Sequence, residues 1–595
     1  MVFPKLAKDA GRGIRRSCDE GTRGITGMSD SITGQLGQSE PRRSLLAVFR
    51  AQLRQWLNWI ATRDVYDLAS VGALVALLAM AFWTFQDYAV SNDEGLQNRY
   101  GELIIAYYKS GFTDQSLFKF DNLYLYGGLF DVVAVLLGNI LPVDIYELRH
   151  LLCALIGIGG IAATGTTARL IAGPRAGFFA ITALALCGSW YGGMFNHTKG
   201  IPLATFMAGA TYFLIRATRD LPIPRMRHVI GLGVMTGAAL GIRSLSLLLF
   251  GYAGLAILIN TPRPITGYWK ERAQFILTSM LWLLPGLVVA YVIMITVWPY
   301  AALSPLNPIR GLISFGDFHY HIRTIIFGRM YEMADVPRYY IPTYIAIRLP
   351  LLTLGAAVLM AAATAVPTLA SDKADNSRRR RDIGLIAFTA FFPVLCQVIA
   401  QGPALDGCRH FLFVFPPIAI LAGIGLSNGI GLLKRWHRSA MIGGLVFIAA
   451  CYAKTATKLV ELHPHEYLYY NQLVGGLEGA SRRFVTDYWV NIMPEAVEEL
   501  HDFLDRTEPE TAKTHNYRVA VCGERVSYEE YARPNLRWIK MWDWRYADFY
   551  IAPTHMNCDR NLDGTTIATI ERMGVVIGVV KDRRAIRAHG YKPTE

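Results

Sequence analysis

The sequence predicts a polytopic α-helical membrane protein with a small α/β domain at its C-terminal end. Three observations predict it. Of 595 residues, 52% are hydrophobic and 18% charged, against about 25% charged in soluble domains, and mean hydropathy is +0.27. Long uncharged runs recur between residues 68 and 456. After residue 457 the composition turns charged and mixed. Short strand-like runs at 518–522, 548–552 and 575–580 there surround a helical stretch at 494–506. The net charge of +13 would suggest nucleic acid in a soluble protein, but in a membrane protein it reads first as cytoplasmic-loop charge. No nucleic-acid module appears. The eight cysteines show neither CxxC nor zinc-finger spacing, which excludes a disulfide-framework protein.

Residues 1–66 are polar and rich in Gly, Ser and Arg, with eleven Lys/Arg from Lys5 to Arg63 and no signal-peptide core. A largely disordered cytoplasmic tail is expected. The run 68–86 has nineteen uncharged residues, roughly 29 Å as a helix, enough for a hydrocarbon core of about 30 Å. Ten further runs lie near 147–172, 175–194, 200–218, 228–242, 244–260, 274–297, 344–370, 383–401, 409–430 and 438–456, so about eleven spans are expected. The run 123–141 carries Asp131 and paired glycines inside a suitable length.

Loop charge decides that ambiguity. With the N-terminus inside and 123–141 not spanning, the basic loops all fall on one side: Arg169 and Arg175; Arg216 to Arg227; Arg263 to Arg272; Lys373 to Arg381; Lys434 to Arg438. Were 123–141 to span, these clusters would move outside. It is therefore expected as an interfacial or re-entrant segment on the outer face. The expected organisation is a tail at 1–66, a transmembrane domain at 67–456 with outer loops 87–146 and 298–343, and an extracytoplasmic domain at 457–595.

The outer face then gathers the unusual residues. Asp93 and Glu94 follow the first span, and adjacent helical residues point about 100° apart, so at most one can face a given site. Their plainer reading is a helix cap and an acidic first turn. Lys199, Arg243, Arg323, Arg409 and His410 lie at span ends or in the long outer loop. Singly each reads as a snorkelling or interface residue. Together, against the positive-inside bias and beside carboxylates, they suit binding of a lipid-linked phosphate. The pairs His319/His321 and His463/His465 invite a metal, but no third ligand spacing supports zinc. No cofactor is expected, with a divalent metal as the open alternative. Asp487-Tyr488-Trp489 and Trp538, Trp542 and Trp544 could stack on sugars or serve as core. Cys522 and Cys558 could pair in an oxidising outer compartment or stay free and buried.

An acidic pair after the first span, an interfacial segment before the second, and the strings DGCRHFLFVFPP (406–417) and HPHEYLYYNQLVGG (463–476) together resemble the GT-C glycosyltransferases. Within them the chain resembles the dolichyl-phosphate-mannose protein mannosyltransferase family, the bacterial lipid A aminoarabinose transferases, and a bacterial branch whose His-Pro-aromatic-Glu-Tyr stretch joins the last span to a periplasmic tail. The resemblance covers about 68–490. The chain departs from many relatives by reading DYWVNI at 487–492. The resemblance implies a bacterial inner-membrane enzyme, with a periplasmic C-terminal domain, that moves a sugar from a polyprenyl-phosphate donor to a hydroxyl of a glycan, lipid or protein acceptor, with inversion. It makes Asp93 the catalytic base and Glu94 its neighbour. Lys199, Arg243 and Arg409, with Arg323 and His410 near them, become the places to seek the leaving phosphate. The rival readings are a lipid-linked sugar flippase without chemistry, which would favour mid-span charges and internal repeats, and a structural membrane subunit.

Overall fold

The computed structural model describes residues 62–262, 269–316, 322–365 and 374–588. The expected tail at 1–66 and the pair His319/His321 lie almost wholly outside them. Residues Arg63–Glu595 form one compact unit.

Each of the eleven apolar runs is helical over its described residues. Seven helices are long and apolar enough to cross a membrane: Val65–Thr84, Ile145–Ala172, Gly200–Thr218, Trp269–Val297, Ser377–Ala400, Arg409–Trp436 and Arg438–Leu462. Two runs are broken. Pro174–Ala185 and Gly188–Asn196 meet at 71°, and Tyr340–Arg348 and Leu351–Thr364 at 120°, which raises the candidates to nine. The remaining two, Met226–Leu240 and Ser244–Asn260, fall short of the roughly 20 residues that a perpendicular crossing needs. The expected eleven therefore become seven to nine by length.

Local sequence sets the helix starts. The Asp64 side chain accepts from the Tyr66 amide at 2.9 Å, and Asp144 accepts from the amides of Tyr146 at 2.7 Å and Glu147 at 3.1 Å, so both caps satisfy donors that a helix leaves open. Burial then sorts the helices. Arg409–Trp436 is mostly buried and runs through the centre, whereas Val65–Thr84 and Arg438–Leu462 have few buried residues. Rim residues such as Phe82, Trp83, Leu287 and Phe447 are exposed, an arrangement that suits lipid and not water. Small residues let helices meet closely: a Cβ on Gly233 would stand 2.3 Å from the Gly286 carbonyl oxygen, so Met226–Leu240 packs backbone to backbone on the helix containing Pro285.

The run 123–141 folds as a turn at Leu123–Leu125 and a ten-residue helix Leu129–Gly138, about 15 Å long and half a hydrocarbon core. It is strapped down by backbone bonds from Gly127 to Ile242, Gly128 to Val297 and Leu129 to Gly241. Asp131, the residue that made the run ambiguous, is buried and accepts from Arg149 Nη2 at 2.9 Å.

The C-terminal region builds a five-stranded sheet. Strands β3 (Tyr517–Val521), β4 (Leu536–Ile539), β5 (Phe549–Pro553), β6 (Thr565–Arg572) and β7 (Val575–Asp582) lie in the order β4-β3-β5-β7-β6. β3 is parallel to β4 and β5, and β7 antiparallel to β5 and β6. The amphipathic helix Met493–Thr507 buries Val497, Leu500 and Leu504. Three strands and the helix match the sequence expectation. β4, β6 and a hairpin, β1 (Arg323–Ile326) with β2 (Arg329–Glu332), were not foreseen. Cys522 and Cys558 are joined by a disulfide.

Arg149 stands between two acids, with Asp131 at 2.9 Å and Glu94 at 3.8 Å, all essentially unexposed. Removing one partner of a buried charge group strands the others at a cost of about 3–5 kcal/mol. Arg149→Met should therefore lower the thermal unfolding temperature sharply in detergent, whereas Arg99→Met, in an exposed pair with Glu102, should cost under about 1 kcal/mol. Equal effects would show that the Arg149 group contributes no more than a surface pair.

Candidate active site

Asp93 occupies the N-cap position of helix Glu94–Lys109 yet makes no capping hydrogen bond. Its neighbour takes that work. Glu94 Oε2 accepts from the Ser91 amide at 2.9 Å, tying down the turn ahead of the helix, and lies 3.1 Å from His150 Nε2. Glu94 is fully buried, turned into the Arg149 group. Asp93, side chain 33% exposed, is thereby left to face outward: Oδ2 accepts from Arg409 Nη1 at 3.1 Å and Oδ1 from the Tyr488 hydroxyl at 3.4 Å. The two acids diverge as adjacent helical residues must, and the plain capping reading holds for Glu94 and not for Asp93.

Arg409 is the hub. Nε donates to His410 Nε2 at 3.2 Å and lies 3.5 Å from Asp406 Oδ2, while the guanidinium carbon sits 4.2 Å above the Tyr488 ring. Two more cations share one aromatic. Lys199 Nζ lies 4.4 Å from the Tyr126 ring centroid and the Arg243 guanidinium 5.1 Å from it, with Arg243 Nη2 donating to the Tyr126 hydroxyl at 3.4 Å. Lys199 comes from the buried turn before Gly200–Thr218, and among the described residues it has no ion-pair partner. Burial pushes its pKa down, and Asp131 and Asp93 pull it back up. The charges of both sets act on His197, a buried side chain 5.3 Å from the Trp489 ring. Burial, and then the charges of Arg409, Arg243 and Lys199, hold His197 well below the ordinary histidine range, so it is neutral.

Arg323 is not part of this group. It sits exposed on β1, 3.4 Å from Glu332 directly across the hairpin, and that cross-strand pairing accounts for its place. Sequence reasoning missed Asp406, Tyr126, His197 and His555. Asp406, with its side chain 3% exposed, is pushed up to about 7 by burial; Arg409 lowers it and Asp93 raises it. His555, 3.9 Å from Asp406, is pushed down to about 4 by burial and by Arg348 and Arg409. Asp406 stood in the DGCRHF string and only its neighbours were singled out. Asp487-Tyr488-Trp489 splits by role: Asp487 accepts from the Tyr467 hydroxyl and the Asn491 and Ile492 amides, while Tyr488 and Trp489 reach the site. A cavity of about 40 Å³ lies beside Arg409, lined by Arg348, Asp406, Tyr488 and Trp489, roomy enough for a water.

The C-terminal domain pins the loop that carries Asp93. The Ala89 amide donates to Asn491 Oδ1 at 2.6 Å, the Val90 amide to the Tyr531 hydroxyl at 2.9 Å, and the Glu524 amide to Asn92 Oδ1 at 2.9 Å. Among the described residues no three His, Cys, Asp or Glu side chains form a metal set. His463 and His465 do not share a ligand position: His465 is buried with both ring nitrogens unpartnered, and His463 is held between two carboxylates. What the arrangement offers chemically is a half-exposed carboxylate on an arginine, beside two further cations with an aromatic between them.

No family model and no curated protein matches the chain. Among solved structures it is similar to ArnT from Cupriavidus metallidurans bound to undecaprenyl phosphate, at 16% identity and a TM-score of 0.48, covering 86% of this chain and 97% of that one. It is also similar to the oligosaccharyltransferase of Archaeoglobus fulgidus, at 11% identity and a TM-score of 0.45 over 81% and 69%. The arabinofuranosyltransferase AftD from Mycobacteria matches at 12% identity and a TM-score of 0.39, over 86% of this chain and 41% of that one.

His463 gives the edge of the site a pH signature. Its ring nitrogens lie 2.7 Å from Glu466 and 2.9 Å from Asp87. Burial alone lowers its pKa, but the Glu466 and Asp87 carboxylates outweigh that and the net shift is upward. A raised folded-state pKa means a contribution fully present below the unfolded value of about 6.5 and lost as pH rises through the folded value. Thermal stability should fall over that window above about pH 6.5, and His463→Gln should lose that part of the slope. Identical slopes in both proteins would remove His463 as the cause.

Proposed function

We propose that the chain is an integral-membrane glycosyltransferase that takes a sugar from a polyprenyl-phosphate donor and delivers it to a hydroxyl acceptor on the outer face of a bacterial inner membrane. The observation that carries this reading is the pairing of Asp93 with Arg409 beside the Lys199–Tyr126–Arg243 group. The acceptor oxygen attacks the anomeric carbon as the bond from that carbon to the phosphate oxygen breaks. The bonding electrons leave with the polyprenyl phosphate, and the hydroxyl proton passes to Asp93. Attack from the face opposite the leaving group inverts the centre. Charge grows on the phosphate during the step, so cations already in place, and partly removed from water, stabilise the transition state more than the ground state. Lys199, Arg243 and Arg409 are the residues for that role, with His410 and His197 as polar neighbours. Glu94 holds the helix end in this reading, and its burial supports that assignment.

Asp93→Asn keeps the shape and an acceptor for Arg409 but removes the basicity. Turnover, read as released polyprenyl phosphate by mass spectrometry, should fall by about two to four orders of magnitude with donor binding kept. Turnover within a few-fold of wild type at equal folded yield would place the base elsewhere, and no release by wild type from any of a range of polyprenyl-phosphate sugars would favour a flippase.

The cations make a separate claim. Truncating Lys199 or Arg243 to Ala should weaken donor binding by about 1.5–3 kcal/mol, as for a lost charge-assisted hydrogen bond, while Arg323→Ala should leave it unchanged. Unchanged affinity in Lys199→Ala and Arg243→Ala would remove the phosphate site.

A further inference from the structure

The tryptophans at 538, 542 and 544 do not share one fate. Trp544 packs into the core behind the sheet, Trp538 is half-buried, and Trp542 is 70% exposed beside Met541, also 70% exposed. Trp538 lines a groove of about 590 Å³ between the short helix Arg525–Glu529, strand β4 and the turn that follows β4. That volume falls in the range of roughly 300–1,000 Å³ typical of ligand sites. β4 is the outer strand of its sheet, so one wall of the groove is an open strand edge.

The groove is cationic. Arg525, Arg533, Arg537 and Lys540 line it with only Glu529 and Asp543 opposing them. Arg525 is engaged by Glu529 and Arg533 by Asp505, each at 2.7 Å. Arg537 and Lys540 are exposed and have no ion pair among the described residues. Lys540 Nζ instead lies 5.0 Å from the Trp542 ring. Trp538 lines the groove while its indole Nε1 is buried away from solvent. Indole faces beside unpaired cations fit a sugar ring that carries a negative group: the C–H face of the ring packs on the aromatic, and the acid meets the cation.

The helix that walls the groove packs against the segment that carries Asp93. Glu524, the residue before its helix, donates its amide to Asn92 next to Asp93, and Val526 packs so closely on Gly95 that a Cβ there would stand 3.0 Å from it. We propose that this groove binds an anionic oligosaccharide and presents it as the acceptor toward Asp93. Its role as acceptor subsite rests on the transferase reading; the binding itself does not.

Fluorescence anisotropy of fluorescein-labelled hexagalacturonate with the full-length solubilised protein tests this, using labelled maltohexaose as the neutral control. Wild type should bind the acidic oligomer about tenfold or more tightly than the neutral one. The double variant Arg537→Glu/Lys540→Glu should lose affinity about tenfold or more, and Trp542→Ala should weaken it, each at unchanged thermal stability. Equal binding of the acidic and neutral oligomers, no binding by wild type, or full binding by the double variant would overturn the inference. So would charge reversals that spare the oligosaccharide but abolish adhesion to phosphatidylglycerol vesicles, since the surface would then be a membrane contact. Donor turnover by Asp93→Asn decides the transferase reading separately.

Discussion

A buried arginine cannot shed its charge, and the outer end of this molecule is organised around that constraint at Arg409. The side chain is 13% exposed, so its charge must be met by protein groups. Those groups come from separate parts of the chain: Asp93 after the first helix, Asp406 and His410 beside it in sequence, and the Tyr488 ring from the segment leading into the C-terminal domain. Each contact fixes one segment relative to the others. Asp93 can serve Arg409 only because Glu94 has taken over the helix start and been drawn into the Arg149 group, so the two neighbouring acids have structural and outward-facing positions by geometry.

The C-terminal domain is part of the same arrangement. Its side chains and amides hold the 87–93 loop at several points, and Tyr488 and His555 stand at the Arg409 cavity. The disulfide joins the end of β3 near Glu524 to the turn that carries His555, linking the two loops of the domain that approach Asp93 and Asp406. A loop between a membrane helix and a half-exposed carboxylate has little packing of its own, and these contacts supply what it lacks.

Much of this was legible in the sequence because membrane helices are written in length and apolarity. All eleven runs are helical over their described residues, and the short strapped segment at 129–138 follows from Asp131 and the one-sided loop charge. Span length was less legible. Breaks at Leu186–Cys187 and at Leu349–Pro350 depend on packing against neighbours, which hydropathy does not record. In the site, Lys199, Arg243 and Arg409 were readable as cations against the topological bias, Asp93 as an acid directly after the first span, and His410 by its place beside Arg409. Arg323 was misread by the same rule, since a charge in an outer loop can be matched across a hairpin that periodicity did not announce. Asp406 and His197 were invisible for another reason: their importance lies in burial together with charges that the tertiary fold brings in, Asp93 at Asp406 and Arg409 and Arg243 at His197.

The account stands on one spatial claim, that Lys199, Arg243 and Arg409 enclose a place for a phosphate beside Asp93. A cryo-EM map of the full-length protein in nanodiscs with a polyprenyl phosphate tests it directly. The account predicts phosphate density within about 4 Å of nitrogen atoms of at least two of these three side chains, the distance of an ion pair. A phosphate seated elsewhere, with the three cations contacting only Tyr126, Tyr488 and Asp93 as they do without it, would contradict it.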